Sequence, residues 1–145
     1  MDDQGAKYDA EGKLRQWMSD QDVKNFQARG RKFVEQFNQI GHNGELTLGE
    51  NIGDLTGVTF AYNAAFPGGK GDAEKKKNFF LQYARVWCGI ELPKLSEQLL
   101  KTDSHSRGWA RVNQQVKNQP AFAETFACKQ TDAMVLPKED LVKIW

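Results

Sequence analysis

The feature that most constrains this chain is its apolar spacing: hydrophobic residues recur at helical intervals in segment after segment, and almost nowhere do they alternate as strands require. Behind "SDQD", where Ser19 or Asp20 can cap, Val23, Phe26, Phe33, Val34, Phe37 and Ile40 mark one face of a long helix. Gly30 falls inside it, at a cost of about 1 kcal/mol relative to alanine, and marks close packing or a bend. A second helix is predicted from a cap at Thr47, with Leu48, Ile52, Leu55, Tyr62 and Phe66, to the stop at "PGG". A third starts at Asp72 and turns Phe79, Phe80, Tyr83, Ala84 and Trp87 inward, with its lysine run facing solvent. A fourth begins near Pro93, "TDSHSRGWAR" reads as a loop, and a last short helix starts at Pro120. The expected fold is therefore mainly α, built of several amphipathic helices, with no repeats or low-complexity tracts.

Composition narrows the function classes. A length of 145 residues with 39% hydrophobic content suffices for the core of one domain. Twenty basic residues against nineteen acidic ones give a net charge of +1, which supplies no general attraction to nucleic acid. No apolar run is long enough to span a bilayer, and the opening "MDDQGAKYDAEG" is acidic and polar, unlike a secretory leader. Cys88 and Cys128 are too few for a disulfide scaffold and lack zinc-ribbon spacing, so they read as buried thiols or as one bridge.

The chemistry concentrates in "GELTLGENIGDLTG". Glu50 and Asp54 stand one helical turn apart and share a face, among Gly49, Gly53 and Gly57, which remove bulk around them. Exposed acids on a solvated helix face are one reading. The other is a metal site, with one carboxylate as ligand and a second orienting a histidine ligand. The only histidines, His42 and His105, cannot share a helix face, so the H-E-x-x-H zinc motif is absent.

The blocks "LTLGENIGDLTGVTFAY", "FFLQYARVWCG", "DSHSRGWARVN", "PAFAETFACK" and "KIW" resemble, in order, the C-terminal end of the neprilysin-type zinc metallopeptidases, the family of neprilysin, endothelin-converting enzyme and bacterial oligopeptidase O. The resemblance implies a gluzincin-type fold. It makes residues 1–145 one partial domain, the C-terminal part of a catalytic domain that begins just downstream of the H-E-x-x-H helix. It implies that Glu50 is the third zinc ligand and that Asp54 bonds a ligand histidine supplied from outside this chain. By the pattern D-x-H-x-x-x-x-x-R, it implies that His105 stabilises the oxyanion and Arg111 holds a substrate carbonyl, with Asp103 orienting His105 or merely ending a helix.

The implied cofactor is Zn²⁺ in the full-length enzyme, with none expected in this chain, and the implied substrate is a small peptide. The implied location is extracytoplasmic, or the cytoplasm in bacteria. Cys88 and Cys128 fall where animal relatives bridge to upstream segments, which implies that they do not pair with each other. The chain departs from the family pattern at Gly53, usually alanine, at Arg107, usually proline, at Met18 and in "VNQQVKN". Helix faces over Phe26–Ile40 and Phe79–Trp87 are expected to lack partners and to favour self-association. The alternative function is a truncated helical interaction module that catalyses nothing. His42 is expected to be an ordinary loop histidine.

Overall fold

The computed structural model describes residues 2–144, so Trp145 of the "KIW" block lies outside the described residues. Among them the chain forms six α-helices and no strand beyond an isolated bridge between Tyr8 and Leu14. α1 (Asp20–Asn38) is capped by Ser19, whose hydroxyl accepts the Asp22 amide, and Asp20 and Asp22 suit the positive end of the helix. Gly30 is buried beneath the Leu48 side chain, so it marks close packing.

α2 (Gly44–Ala65) starts earlier than the predicted cap at Thr47. Asn43 caps it by accepting the Leu46 amide. Gly44 follows because a Cβ there would lie 2.2 Å from the Val34 carbonyl oxygen, a contact only glycine avoids. Thr47 instead sits inside the helix, its hydroxyl donating to the Asn43 carbonyl. α2 therefore folds back tightly against α1.

α3 (Ala73–Val86) has the predicted Asp72 cap, and α4 (Pro93–Thr102) and α6 (Pro120–Thr125) open on their prolines. Between α4 and α6 lies a helix that the sequence reading did not place: α5 spans Gly108–Lys117, taking in the last four residues of the expected loop and leaving residues 103–107 as the connection. Its inward positions hid it, because Gln114 and Gln115 are buried there beside Ala110 and Val116 and weaken the apolar period. Gly108 is required at its start, since a Cβ would meet the Trp87 carbonyl at 2.6 Å.

Two cores result. One joins Phe33 and Phe37 of α1, Ile52 and Leu55 of α2, Ala110 of α5, and Val142 and Ile144 of the C-terminal segment. That segment is tied down by polar contacts: Arg29 donates to the Ile144 carbonyl at 2.8 Å, Gln36 to the Asp140 carbonyl at 2.8 Å, and the Val142 amide to Asn118 Oδ1 at 2.7 Å. The other core stacks Tyr62, Phe66, Phe80, Phe122 and Phe126 around Val116. The faces expected to lack partners are largely consumed here, with Phe33, Phe37 and Phe80 buried inside the chain itself. Exposed apolar residues include Leu81 and Val86 on the outer side of the Phe79–Trp87 stretch, and Phe60, Ile90 and Leu92 beyond it. No described helix is long and apolar enough to cross a membrane.

Candidate functional site

α2 has two sides. Asn51, Ile52, Leu55 and Val58 are buried against the core, and the opposite side carries Glu50, Gly53, Asp54 and Gly57. The glycines differ in kind. A Cβ at Gly49 would press on Asp3 Oδ1 at 2.7 Å, whereas Gly53 and Gly57 face open space. The 103–107 connection lies over this helix because two buried contacts hold it. Ser106 Oγ donates to Asn51 Oδ1 at 2.8 Å, and the Arg107 amide donates to His42 Nε2 at 3.1 Å. His42 is buried edge-on to Phe37 and Trp109, and burial, aided by the Arg107 charge, pushes its pKa below the ordinary imidazole value. A neutral ring is what the acceptor role needs.

The structure brings together all four site residues suggested by the sequence. Asp54 receives Arg111 through two hydrogen bonds, Nε to Oδ2 at 2.6 Å and Nη2 to Oδ1 at 2.8 Å. The Arg111 guanidinium also stacks 3.9 Å above the Trp87 ring and lies 3.6 Å from Glu50 Oε2. Burial works against the Arg111 charge, but the bonds and charge of Asp54, with Glu50 behind, outweigh it and raise its pKa above the ordinary value. The Tyr83 hydroxyl donates to the Arg111 carbonyl at 2.8 Å, and burial followed by the Asp54 charge raises that phenol's pKa, keeping it neutral.

His105 sits between two carboxylates. Its Nδ1 is 2.8 Å from Asp103 Oδ1, and its Nε2 is 3.4 Å from Glu50 Oε2. The His105 amide hydrogen bond holds the Asp103 carboxyl down to about 2 although burial pushes it up, with the imidazole and Arg107 adding to the lowering. Asp103 thus bonds the imidazole as well as ending α4. Exposure divides the cluster. The Glu50 and His105 side chains are 45% and 46% exposed, while those of Asp54 and Arg111 are 11% and 13% exposed, so the first pair is the more open to anything arriving from outside. Beside them Trp87, Cys88, Glu91 and Arg107 line a cleft of about 280 Å³. Cys88 is exposed and Cys128 half-buried, and both are free thiols.

The sequence offered little notice of Asn51, Ser106, Arg107 or of His42 as an acceptor. Their roles depend on contacts spanning more than fifty residues, which local pattern does not carry.

These donors do not fit a zinc ion by themselves. No three His, Cys, Asp or Glu residues converge among the described residues, and the Arg111 cation lies within 4 Å of the one exposed carboxylate. Glu50 can offer one ligand, and the described residues do not complete the set.

A glutamate, a carboxylate-backed histidine and an aspartate-gripped arginine thus lie together beside α2 in a helical fold. The sequence model of peptidase family M13 matches residues 1–142, and the chain belongs to that family. It is 36% identical over 146 residues to neprilysin-1 of Caenorhabditis elegans, covering 88% of this chain and 19% of that protein. With the neutral endopeptidase of Lactobacillus helveticus it shares 34% over 149 residues, covering 99% and 22%. With human endothelin-converting enzyme 1 it shares 34% over 159 residues, covering 99% and 20%.

Among solved structures, PepO from Lactobacillus rhamnosis superposes with a TM-score of 0.92 at 30% identity, over 99% of this chain and 23% of that one. The Mycobacterium tuberculosis zinc metalloprotease ZMP1, in complex with inhibitor, gives 0.88 at 31%, over 99% and 25%. The chain thus spans about a fifth of the length of the curated relatives it matches.

Proposed function

We propose that this chain is the C-terminal part of the catalytic domain of a zinc metalloendopeptidase acting on small peptides, and that it is inactive alone. The observation that carries the reading is the division within the site. Asp54 and Arg111 order each other, while Glu50 and His105 are left side by side and half-exposed. Glu50 is then the carboxylate offered to the metal in the complete enzyme, with two histidine ligands and the general base supplied by an H-E-x-x-H that this sequence lacks.

His105, held through Nδ1–H by Asp103, turns Nε2 toward the same space, where the ring protonated on both nitrogens can stabilise negative charge developing on a substrate carbonyl oxygen. Arg111, fixed by Asp54 and Trp87, needs little ordering before it meets a substrate backbone carbonyl. Asp54 acts here by aiming Arg111, and in the complete enzyme it also accepts from a ligand histidine. The test is the complete enzyme carrying Glu50→Ala: loss of both zinc and hydrolysis supports the reading, and full retention of both overturns it.

A second reading has one observation in its favour. Val86, Ile90 and Leu92 are strongly exposed around the α3–α4 link, as in a helical module that binds another protein or a second copy of itself. Light scattering at high concentration tests it. A dimer or larger species supports association, and a clean monomer removes that support.

A further inference from the structure

We propose that Arg107 is a positioning residue for His105: it locks Asp103 and the His105 backbone together, so that the imidazole keeps its proton on Nδ1 and presents Nε2 to the open site.

The guanidinium is nearly buried, with 7% of the side chain exposed, yet it lies in a connection between helices where an arginine would ordinarily reach into water. It is held there by three acceptors. Nη2 donates to Asp103 Oδ2 at 2.5 Å and to the His105 carbonyl at 2.8 Å, and Nη1 donates to Glu91 Oε1 at 3.2 Å. The same residue's amide is anchored on His42. Arg107 therefore fastens the end of α4, the α3–α4 link and the start of α5 to a single planar group, and a planar fork is what allows contacts at fixed angles.

Division of labour on Asp103 gives the consequence. Arg107 takes Oδ2, so Oδ1 is turned to His105, where it meets both the backbone amide at 3.0 Å and Nδ1 at 2.8 Å. A carboxylate fixed at both oxygens cannot rotate away, and the ring hydrogen-bonded to it is fixed in turn. Glu50 competes from the other side, but at 3.4 Å from Nε2 it is the weaker partner. Without Arg107, Asp103 keeps only the local contacts of its own turn, and the ring is free to exchange its proton between the two nitrogens.

The inference rests on reading His105 as an active-site group, but its test needs neither metal nor substrate. Long-range ¹H–¹⁵N NMR of the 145-residue chain, at a pH where the imidazole is neutral, reports which ring nitrogen carries the proton. The wild-type chain is expected to show His105 predominantly as the Nδ1–H form. Arg107→Met keeps the aliphatic stem and removes the donors, and it is expected to move His105 to a mixture dominated by Nε2–H while the other histidine, His42, is unchanged. Arg107→Lys, with one ammonium for three acceptors, is expected to fall between the two.

A folded Arg107→Met protein that keeps the Nδ1–H form would overturn the proposal, as would a wild-type ring protonated on Nε2. If the methionine variant does not fold, the lysine variant decides: an intermediate population supports the proposal, and an unchanged one overturns it. Failure here would leave the peptidase reading intact, since that reading stands on Glu50 in the complete enzyme.

Discussion

The two sides of α2 are built from the same helix and obey different rules. On one, Asn51, Ile52, Leu55 and Val58 are almost fully buried, and even the polar member is satisfied, with Ser106 and Gln115 both bonding Asn51. On the other, a turn away, stand two glycines with open space beyond them, an aspartate gripped by an arginine, and a half-exposed glutamate. The first side is finished by this chain. The second has its supports in place and its outermost groups unspent, which is how a site looks when its fixed parts are ordered before the rest arrives. Preorganisation of that kind lowers the cost of binding and of reaching a transition state.

The sharpest way to break this contrast is to mutate the open side and measure chemistry. In the complete enzyme, Glu50→Ala is expected to lower zinc content and kcat/KM far more than the roughly 10 to 100-fold expected of Asp54→Ala, because one removes a metal ligand and the other an outer partner. Equal effects would erase the distinction between exposed and supporting groups. The converse holds for stability. Phe33→Ala empties a fully buried site and should cost about 3–5 kcal/mol in urea denaturation. Ile90→Ser, at a fully exposed position, should change stability by less than about 0.5 kcal/mol.

Asp54→Ala lies between these in stability. It strands an arginine that is 13% exposed, and a loss of about 2 kcal/mol is expected, with the remaining Trp87 stacking limiting the damage.

The smallest effect concerns pH, and it belongs to the seam between the two sides. His42 has a folded pKa below its unfolded value, so the unfolded chain takes up the proton more readily. Its stabilising contribution is present above about pH 6.5 and is lost as the pH falls through that value toward the folded pKa. Asp103, held near 2, behaves alike at lower pH, contributing above about 4 and losing that contribution between about 4 and 2. Denaturation midpoints across about pH 2–8 should therefore show two steps downward on acidification, and His42→Phe should remove the upper one alone.

How much of this was legible in the sequence follows the same division. Helices with a capping residue and a clean apolar period, α1 and α3, could be read directly from Ser19 and Asp72 onward. The start of α2 could not, because it is set by Gly44 fitting against the Val34 backbone, a contact with no local trace. α5 was hidden for a related reason: Gln114 and Gln115 are buried as polar residues, with Gln115 donating to the Asn51 carbonyl across the core, and so break the apolar rhythm. At the site, the Glu50–Asp54 pair was visible from spacing alone, and a resemblance pointed to His105 and Arg111. What spacing could not show is that Arg111 is already bound to Asp54, or that Arg107, a departure from the family pattern, reaches inward to Asp103.

On the reading proposed above, this chain offers one metal ligand, Glu50, and needs the others from elsewhere. Metal analysis of the 145-residue protein, stripped with chelator, resupplied with zinc and desalted, tests it most directly when run beside a fluorogenic peptide assay. Zinc far below one ion per chain and no chelator-sensitive cleavage are expected, since a catalytic zinc needs about three converging protein ligands. One zinc per chain with cleavage that chelator abolishes would contradict it, and would show that the open side of α2 is completed within this protein after all.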